Sequence, residues 1–298
     1  MDAYQDHTKH QSVQSNSVSV ARGDYNIKDH IVICNWSSKA DSIVRQLHNE
    51  SVVKKLPIIV VTNRPQDVPS STEEEYRGLL IINGDPADRE ILERADIREA
   101  SVAVILADET KGEEPDSKSI LIQLAIDAIN AKVHTIVELV HSTSEMYFTY
   151  THANELVCLE QLSEKLLAQA ALTPGVSKVY LDLLTQSSNT NEIYEVDVIE
   201  RFVGQSFQEV RASILEIERP EMILLGFKTR DCKRDYKGEC IVDPYGDHIP
   251  KQKVVINPPI EDSNGYSRRY ILKNSDTLFV IAYKKPALEK LFSVTSNK

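Results

Sequence analysis

The chain has 298 residues, 41% of them hydrophobic, with 34 Lys and Arg against 45 Asp and Glu and a formal net charge of −11. That length suits two domains with ordinary cores, and an acidic balance with no Lys/Arg run excludes a nucleic-acid surface, which needs a basic stripe. No apolar stretch approaches the roughly 20 residues that cross a bilayer, the first residues lack a charged-then-apolar signal pattern, and Cys34, Cys158, Cys232 and Cys240 form no CxxC pair, so a soluble, reduced, cytoplasmic protein is expected.

Residues 1–28 are rich in Gln, Ser, Asn, His and Asp and read as a disordered tail or linker. His30-Ile-Val-Ile-Cys-Asn-Trp-Ser-Ser38 is an apolar, β-branched run that stops at a polar turn, the pattern of a strand buried on both faces. Ala40, Ile43, Val44 and Leu47 then recur at helical spacing, with Ser37 or Ser38 as cap. Pro57–Thr62 and Gly78–Gly84 are the next strands. Asp85 is placed to cap a helix with Pro86 at its first position, running to about Ala95. Ala100–Ala107 is a fourth strand, closing on Asp108 and Glu109. A long helix from Pro115 to Ala131 carries Ile120, Leu121, Leu124, Ala125 and Ala128 on one face. Val133–Leu139, a helix through Met146-Tyr147-Phe148 and a short strand Glu155–Cys158 follow.

Strand and helix thus alternate six times within residues 29–158, the pattern of a Rossmann-like parallel sheet. Residues 159–187 read as a helix–turn–helix connector broken at Thr173-Pro174-Gly175, and its apolar residues, among them Leu162, Leu166, Val179 and Leu183, need a partner subunit or second domain to cover them. Residues 188–290 read as a smaller α+β domain, with strands at Ile193–Val198, Met222–Phe227, Lys253–Ile256 and Thr277–Ala282 and a short helix at Phe207–Ala212. Residues 229–252 are a long loop or extended hairpin, across which Cys232 and Cys240 can face each other. The expected fold class is α/β: a parallel-sheet domain, a helical connector and a smaller α+β domain.

In a parallel open sheet, ligands bind at the carboxyl edge of the strands. The first turn there, Asn35-Trp36-Ser37-Ser38-Lys39, has no glycine where a dinucleotide site uses G-x-G-x-x-G, and Trp36 would crowd a pyrophosphate. Ser37 and Ser38 N–H groups can still hold an anion. Thr62, Asn63 and Arg64 end the second strand in place of an acid for the ribose, and Arg64 suits a phosphate. Asp85, Asp108, Glu109 and Glu138 collect at the same edge, and carboxylates on neighbouring loops are the ligands a hard cation such as calcium takes. Glu138, at the end of a buried strand, needs a partner. No nucleophile–base arrangement stands out, so a binding role is expected with its ligand open: calcium is one candidate, and NAD(H) or another nucleotide is disfavoured by the missing glycines; the alternatives are an NAD(H)-binding oxidoreductase and an assembly scaffold without ligand.

His30-Ile-Val-Ile-Cys-Asn-Trp-Ser, Gly84-Asp-Pro with Leu92-Glu-Arg-Ala-Asp-Ile97, Ala103-Val-Ile-Leu-Ala-Asp108 and Val254-Val-Ile-Asn-Pro-Pro259 resemble the RCK (regulator of potassium conductance, TrkA-type) domains over about residues 28–290. Pro115-Asp-Ser-Lys-Ser-Ile-Leu121 and Phe202-Val-Gly-Gln-Ser-Phe207 are similar to the first RCK domain of calcium-activated potassium channels and to prokaryotic calcium-gated channels. The resemblance implies a cytosolic, non-enzymatic ligand sensor that forms a homodimer through its crossing helices. It further implies a tetrameric or octameric gating ring coupled to a potassium channel pore or transporter membrane subunit that is not in this chain. Of the two alternating carboxylates that end the fifth strand in the prokaryotic calcium-gated channels, Glu138 matches the first and Val140 stands at the second. Their fourth-strand acid falls near Ala107, with Asp108 displaced by one.

Overall fold

The computed structural model describes residues 27–48, 55–69, 76, 78–108, 115–185, 190–217, 219–235, 237–243, 246–260 and 269–294. The tail read at residues 1–28 falls outside these except for Ile27 and Lys28, as do Glu109 and residues 186–189 of the polar linker.

The first lobe is a six-stranded parallel sheet. Its strands are β1 (Ile31–Cys34), β2 (Ile58–Thr62), β3 (Leu79–Asn83), β4 (Val102–Ile105), β5 (His134–Leu139) and β6 (Glu155–Cys158). They lie in the order β3-β2-β1-β4-β5-β6, so the chain reverses direction across the sheet between β1 and β4, where a doubly wound fold opens its ligand crevice. Alternation along β1 sends Ile31 and Ile33 to one face with Trp36, Ala40 and Val44, and Val32 and Cys34 to the other with Ile59, Ile122, Ile126 and Phe148. Both faces are covered, which is why these strands read as continuous apolar runs.

Three helices flank the sheet: α1 (Ser38–Leu47), α2 (Arg89–Arg94) and α3 (Pro115–Asn130). Two expectations are corrected here. The cap of α2 is Asp88, whose side chain accepts from Glu90 N–H, while Asp85 accepts from Ala87 N–H at 2.9 Å and pairs with Lys118 Nζ at 2.9 Å. On α3 the buried positions are Asp116, Ser119, Ile122, Gln123, Ile126 and Ile129, whereas Leu121 and Leu124 are 58% and 49% exposed. The apolar reading missed this rotation because polar residues on the inner face find partners there: Asp116 accepts from the backbone N–H groups of Val140 and His141, and Gln123 donates to Asp127.

Beyond the sheet, α4 (Leu159–Leu172) and α5 (Val176–Leu184) meet at Gly175, which holds the left-handed φ of 92° that glycine tolerates. Neither helix contains a buried residue. The second lobe is a four-stranded antiparallel sheet, ordered β7 (Glu192–Asp197), β10 (Thr277–Ala282), β8 (Met222–Cys232) and β9 (Pro250–Ile256). Two helices, α6 (Phe207–Leu215) and α7 (Leu288–Val294), complete it. Its core gathers Phe202, Phe207, Phe227, Leu278, Val280 and Phe292, and α6 starts from a capping box formed by Ser206 and Glu209. Helix α7 was not foreseen.

The described residues of 229–252 form an extended hairpin, with β8 and β9 paired out to Cys232 and Pro250. The expectation of reduced cysteines is corrected as well: Cys232 and Cys240 form a disulfide with Cα atoms 5.6 Å apart, while Cys34 and Cys158 are free and buried.

Candidate functional site

Where β1 ends, Asn35 turns the chain with a left-handed φ of 72°, a conformation Asn adopts more readily than other side-chain-bearing residues. Its Nδ2 donates to Leu106 O at 2.7 Å, tying the end of β1 to the loop after β4. Trp36 is 4% exposed, packed in the core beside α1. Ser37 caps α1 by accepting from Lys39 N–H.

That cap brings Lys39 into the first helical turn, pointing across the edge. Its ammonium donates to Glu138 Oε1 at 2.7 Å, and Glu138 Oε2 accepts from Ala107 N–H at 3.1 Å. The buried carboxylate at the end of β5 therefore has the partners its burial requires. The backbone N–H at Ala107 faces it, where the resemblance would place another acid. Arg64, just past β2, donates to Trp36 O at 3.0 Å and lies 3.6 Å from both Asp108 and Asp67. These contacts stitch the ends of β1, β2, β4 and β5 together. A cavity of about 510 Å3 opens beside them, walled by Trp36, Ser37, Ser38, Asp41, Arg64 and Asp67. Behind this wall the buried Tyr76 hydroxyl donates to Asp41, and this bond, helped by Arg45, holds the Asp41 carboxyl below its ordinary range against the opposing effect of burial.

Of the residues expected from sequence, Asn35, Trp36, Ser37, Arg64, Asp108 and Glu138 come together at this edge, while Asn63 is exposed at the end of β2. Asp85 is turned to Lys118 on α3. Each described carboxylate of the expected cation set thus faces a different side-chain cation, and among the described residues no three His, Cys, Asp or Glu side chains group closely enough to hold a metal ion. Sequence reading did not find Lys39, Lys118 or Asp116. Lys39 follows a cap signal, but its partner lies 99 residues on; Asp116 sits at the helix start, where its acceptance of two β5-end N–H groups leaves no local trace.

Residues 26–137 match the family model of the calcium-activated potassium channel slowpoke-like RCK domain. The match takes in the sheet lobe as far as β5, and over that stretch the chain is similar to an RCK domain. Among curated relatives, the calcium-gated potassium channel TvoK of Thermoplasma volcanium is 21% identical over 195 residues, 64% of this chain and 53% of that channel. The probable ion channel SYM8 of Pisum sativum is 22% identical over 266 residues, 86% of this chain and 26% of that protein. The chain therefore spans about half the length of TvoK and about a quarter of SYM8. The human SLO3 gating ring shares the fold across 89% of this chain and 46% of its own, with a TM-score of 0.58 and 18% identity. No helix among the described residues is long and apolar enough to cross a membrane.

Proposed function

We propose that this chain is a cytosolic, non-enzymatic ligand-sensing domain that regulates a potassium channel or a potassium transporter. The observation that carries the reading is the RCK match over residues 26–137. Supporting it is a sheet edge whose strand ends are bridged by ion pairs that a charged ligand can exchange. A ligand acts by exchange: a cation such as calcium competes with Lys39 for Glu138, and an anionic group such as a nucleotide phosphate competes with Asp108 for Arg64. Either exchange releases one strand end from another, and the ligand shifts the domain because it prefers the rearranged edge. The relay runs through α4, the Thr173-Pro174-Gly175 turn and α5, whose exposed apolar residues, Leu162 and Val179 with the half-buried Leu166 and Leu183, face a second copy. Dimers so formed build the gating ring.

Potassium flux into vesicles holding the native assembly tests this, measured with and without calcium and NADH and repeated after deletion of residues 27–294. The reading expects flux that one ligand changes and that the deletion uncouples from it. Flux indifferent to both ligands and to the deletion refutes it. Calorimetry with light scattering on the isolated chain separates the ligands, with Glu138→Gln expected to weaken the calcium response.

A further inference from the structure

Between β8 and β9 the chain leaves the second sheet as a folded excursion. Lys233 N–H donates to Ile249 O at 2.9 Å, Ile241 N–H to Lys233 O at 2.8 Å and Ile249 N–H to Ile241 O at 3.0 Å. The Cys232–Cys240 disulfide ties the middle of the excursion back to the end of β8. Lys233, the residue after Cys232, reaches across to the sheet lobe, where Nζ donates to Thr151 O at 2.7 Å and Phe148 O at 3.2 Å. A second contact joins the lobes beside it. His152 stands with Nδ1 3.6 Å from Asp127 on α3 and Nε2 3.9 Å from Asp243 in the excursion. A cleft of about 330 Å3 runs along this seam, lined by Phe148, Asn154, Lys233 and Lys251 among others.

We propose that Cys232 and Cys240 are a reversible thiol–disulfide site that sets whether the excursion is docked on the sheet lobe. Three observations carry it. First, the bonded cysteines are both half-buried, within reach of a small thiol, whereas Cys34 is wholly buried and its thiol is pushed up to about 12 by that burial, which keeps it out of exchange chemistry. Second, the disulfide fixes the residue next to the docking lysine, so the cross-link and the docking contact are one step apart along the chain. Third, burial pushes Lys233 down to about 8 despite the opposite influence of Asp127, so this ammonium is poorly solvated and depends on its two carbonyl acceptors being held in place. In a reducing compartment a disulfide of this kind is a regulated bond and not a permanent staple.

The chemistry balances with a dithiol as reductant. One thiolate attacks a cysteine sulfur to form a mixed disulfide and expel the other cysteine as thiolate; the second thiol of the reductant then closes its own disulfide. Two electrons pass to the protein, two protons complete the Cys232 and Cys240 thiols, and the dithiol leaves oxidised. Oxidised glutathione reverses the exchange. Reduction frees the middle of the excursion from the end of β8, and the contacts of Lys233 and Asp243 with the sheet lobe open with it. This holds independently of what binds at the sheet edge.

The test is hydrogen exchange by mass spectrometry on the full chain, equilibrated in oxidised glutathione or in dithiothreitol, with alkylation counting free thiols in each. The expected result is a disulfide at 232–240 in the first buffer, two more free thiols in the second, and about tenfold faster exchange after reduction in both 233–249 and 148–152, matching loss of a charge-assisted hydrogen bond. Cys240→Ser should show the fast pattern in both buffers. Lys233→Met should keep the redox-dependent disulfide yet exchange fast at 148–152 in both states. Failure to form the disulfide, reduction that loosens 233–249 alone, or a Lys233→Met chain with normal protection at 148–152 would each overturn the proposal.

Discussion

Replacing Glu138 by glutamine keeps the side chain's volume and an acceptor oxygen but removes its charge. In the native chain Oε1 accepts from Lys39 Nζ and Oε2 from Ala107 N–H. A hydrogen bond to a charged group contributes about 1.5–3 kcal/mol, but the Lys39 side chain is 40% exposed and solvent screens the pair. The lower end applies, so Glu138→Gln should cost about 1–2 kcal/mol. Lys39→Met leaves a carboxylate that is only 9% exposed without its ammonium and should cost about 2 kcal/mol. The double variant strands neither group and should cost about 1 kcal/mol less than the sum of the singles. Trp36, the single tryptophan, is buried beside α1 at the same edge, so its emission during urea unfolding reports this lobe. With a slope near 2 kcal/mol per molar, a loss of 1–2 kcal/mol moves the midpoint by about 0.5–1 M. Strictly additive single effects would refute the coupling, and an unmoved midpoint for Glu138→Gln would refute the idea that this pair holds β5 to α1.

Gly226→Ala should cost about 3 kcal/mol, because the added Cβ would stand against the Val255 carbonyl oxygen and 2.9 Å from Ile256 Cα; melting followed by circular dichroism reads this, and Gly84→Ala, which meets the Ile91 side chain, should cost less. Leu166→Asp with Leu183→Asp should yield monomers by light scattering, and an intact dimer would place the interface elsewhere. The Cys34 thiol stays neutral in the folded chain up to about pH 12, against an ordinary value of 9.0. Its contribution is therefore complete below pH 9 and is lost as pH rises from 9 through 12, at no more than about 1.4 kcal/mol per pH unit. Urea titrations at pH 9 and 10.5 should show Cys34→Ala losing less stability over that interval than the native chain; equal slopes would refute it.

The sheet lobe was legible because parallel strands covered on both faces are uninterrupted apolar runs, and β1 to β6 fall within the stretches so read. What escaped has a common cause. The inner face of α3 is set by Asp116 and Gln123, polar residues that qualify as core only once Val140, His141 and Asp127 are beside them. Two aspartates three residues apart, Asp85 and Asp88, each carry a cap signal, and Lys118 on a helix 30 residues away decides which is free to use it. That Asn35, Trp36, Ser37, Arg64, Asp108 and Glu138 meet at the carboxyl edge by β1 was legible, but not how their charges pair. The described carboxylates that sequence alone gathers as cation ligands, Asp85, Asp108 and Glu138, each face a separate lysine or arginine, and those pairings span from 33 to 99 residues.

The ion pair at Glu138 also limits what the edge can respond to. Lys39 holds its ammonium 2.7 Å from a carboxylate, the position and charge an entering cation would take, so calcium binding at Glu138 must displace a tethered competitor whose effective concentration is high. Lys39→Met removes that competitor and leaves the acceptor oxygens in place. If the edge is a cation sensor set by this competition, the variant binds calcium more tightly than the native chain even as it loses stability without calcium. If calcium affinity falls or stays the same, Lys39 is part of the structure of the edge and not its occupant, and the ligand belongs on the Arg64 side.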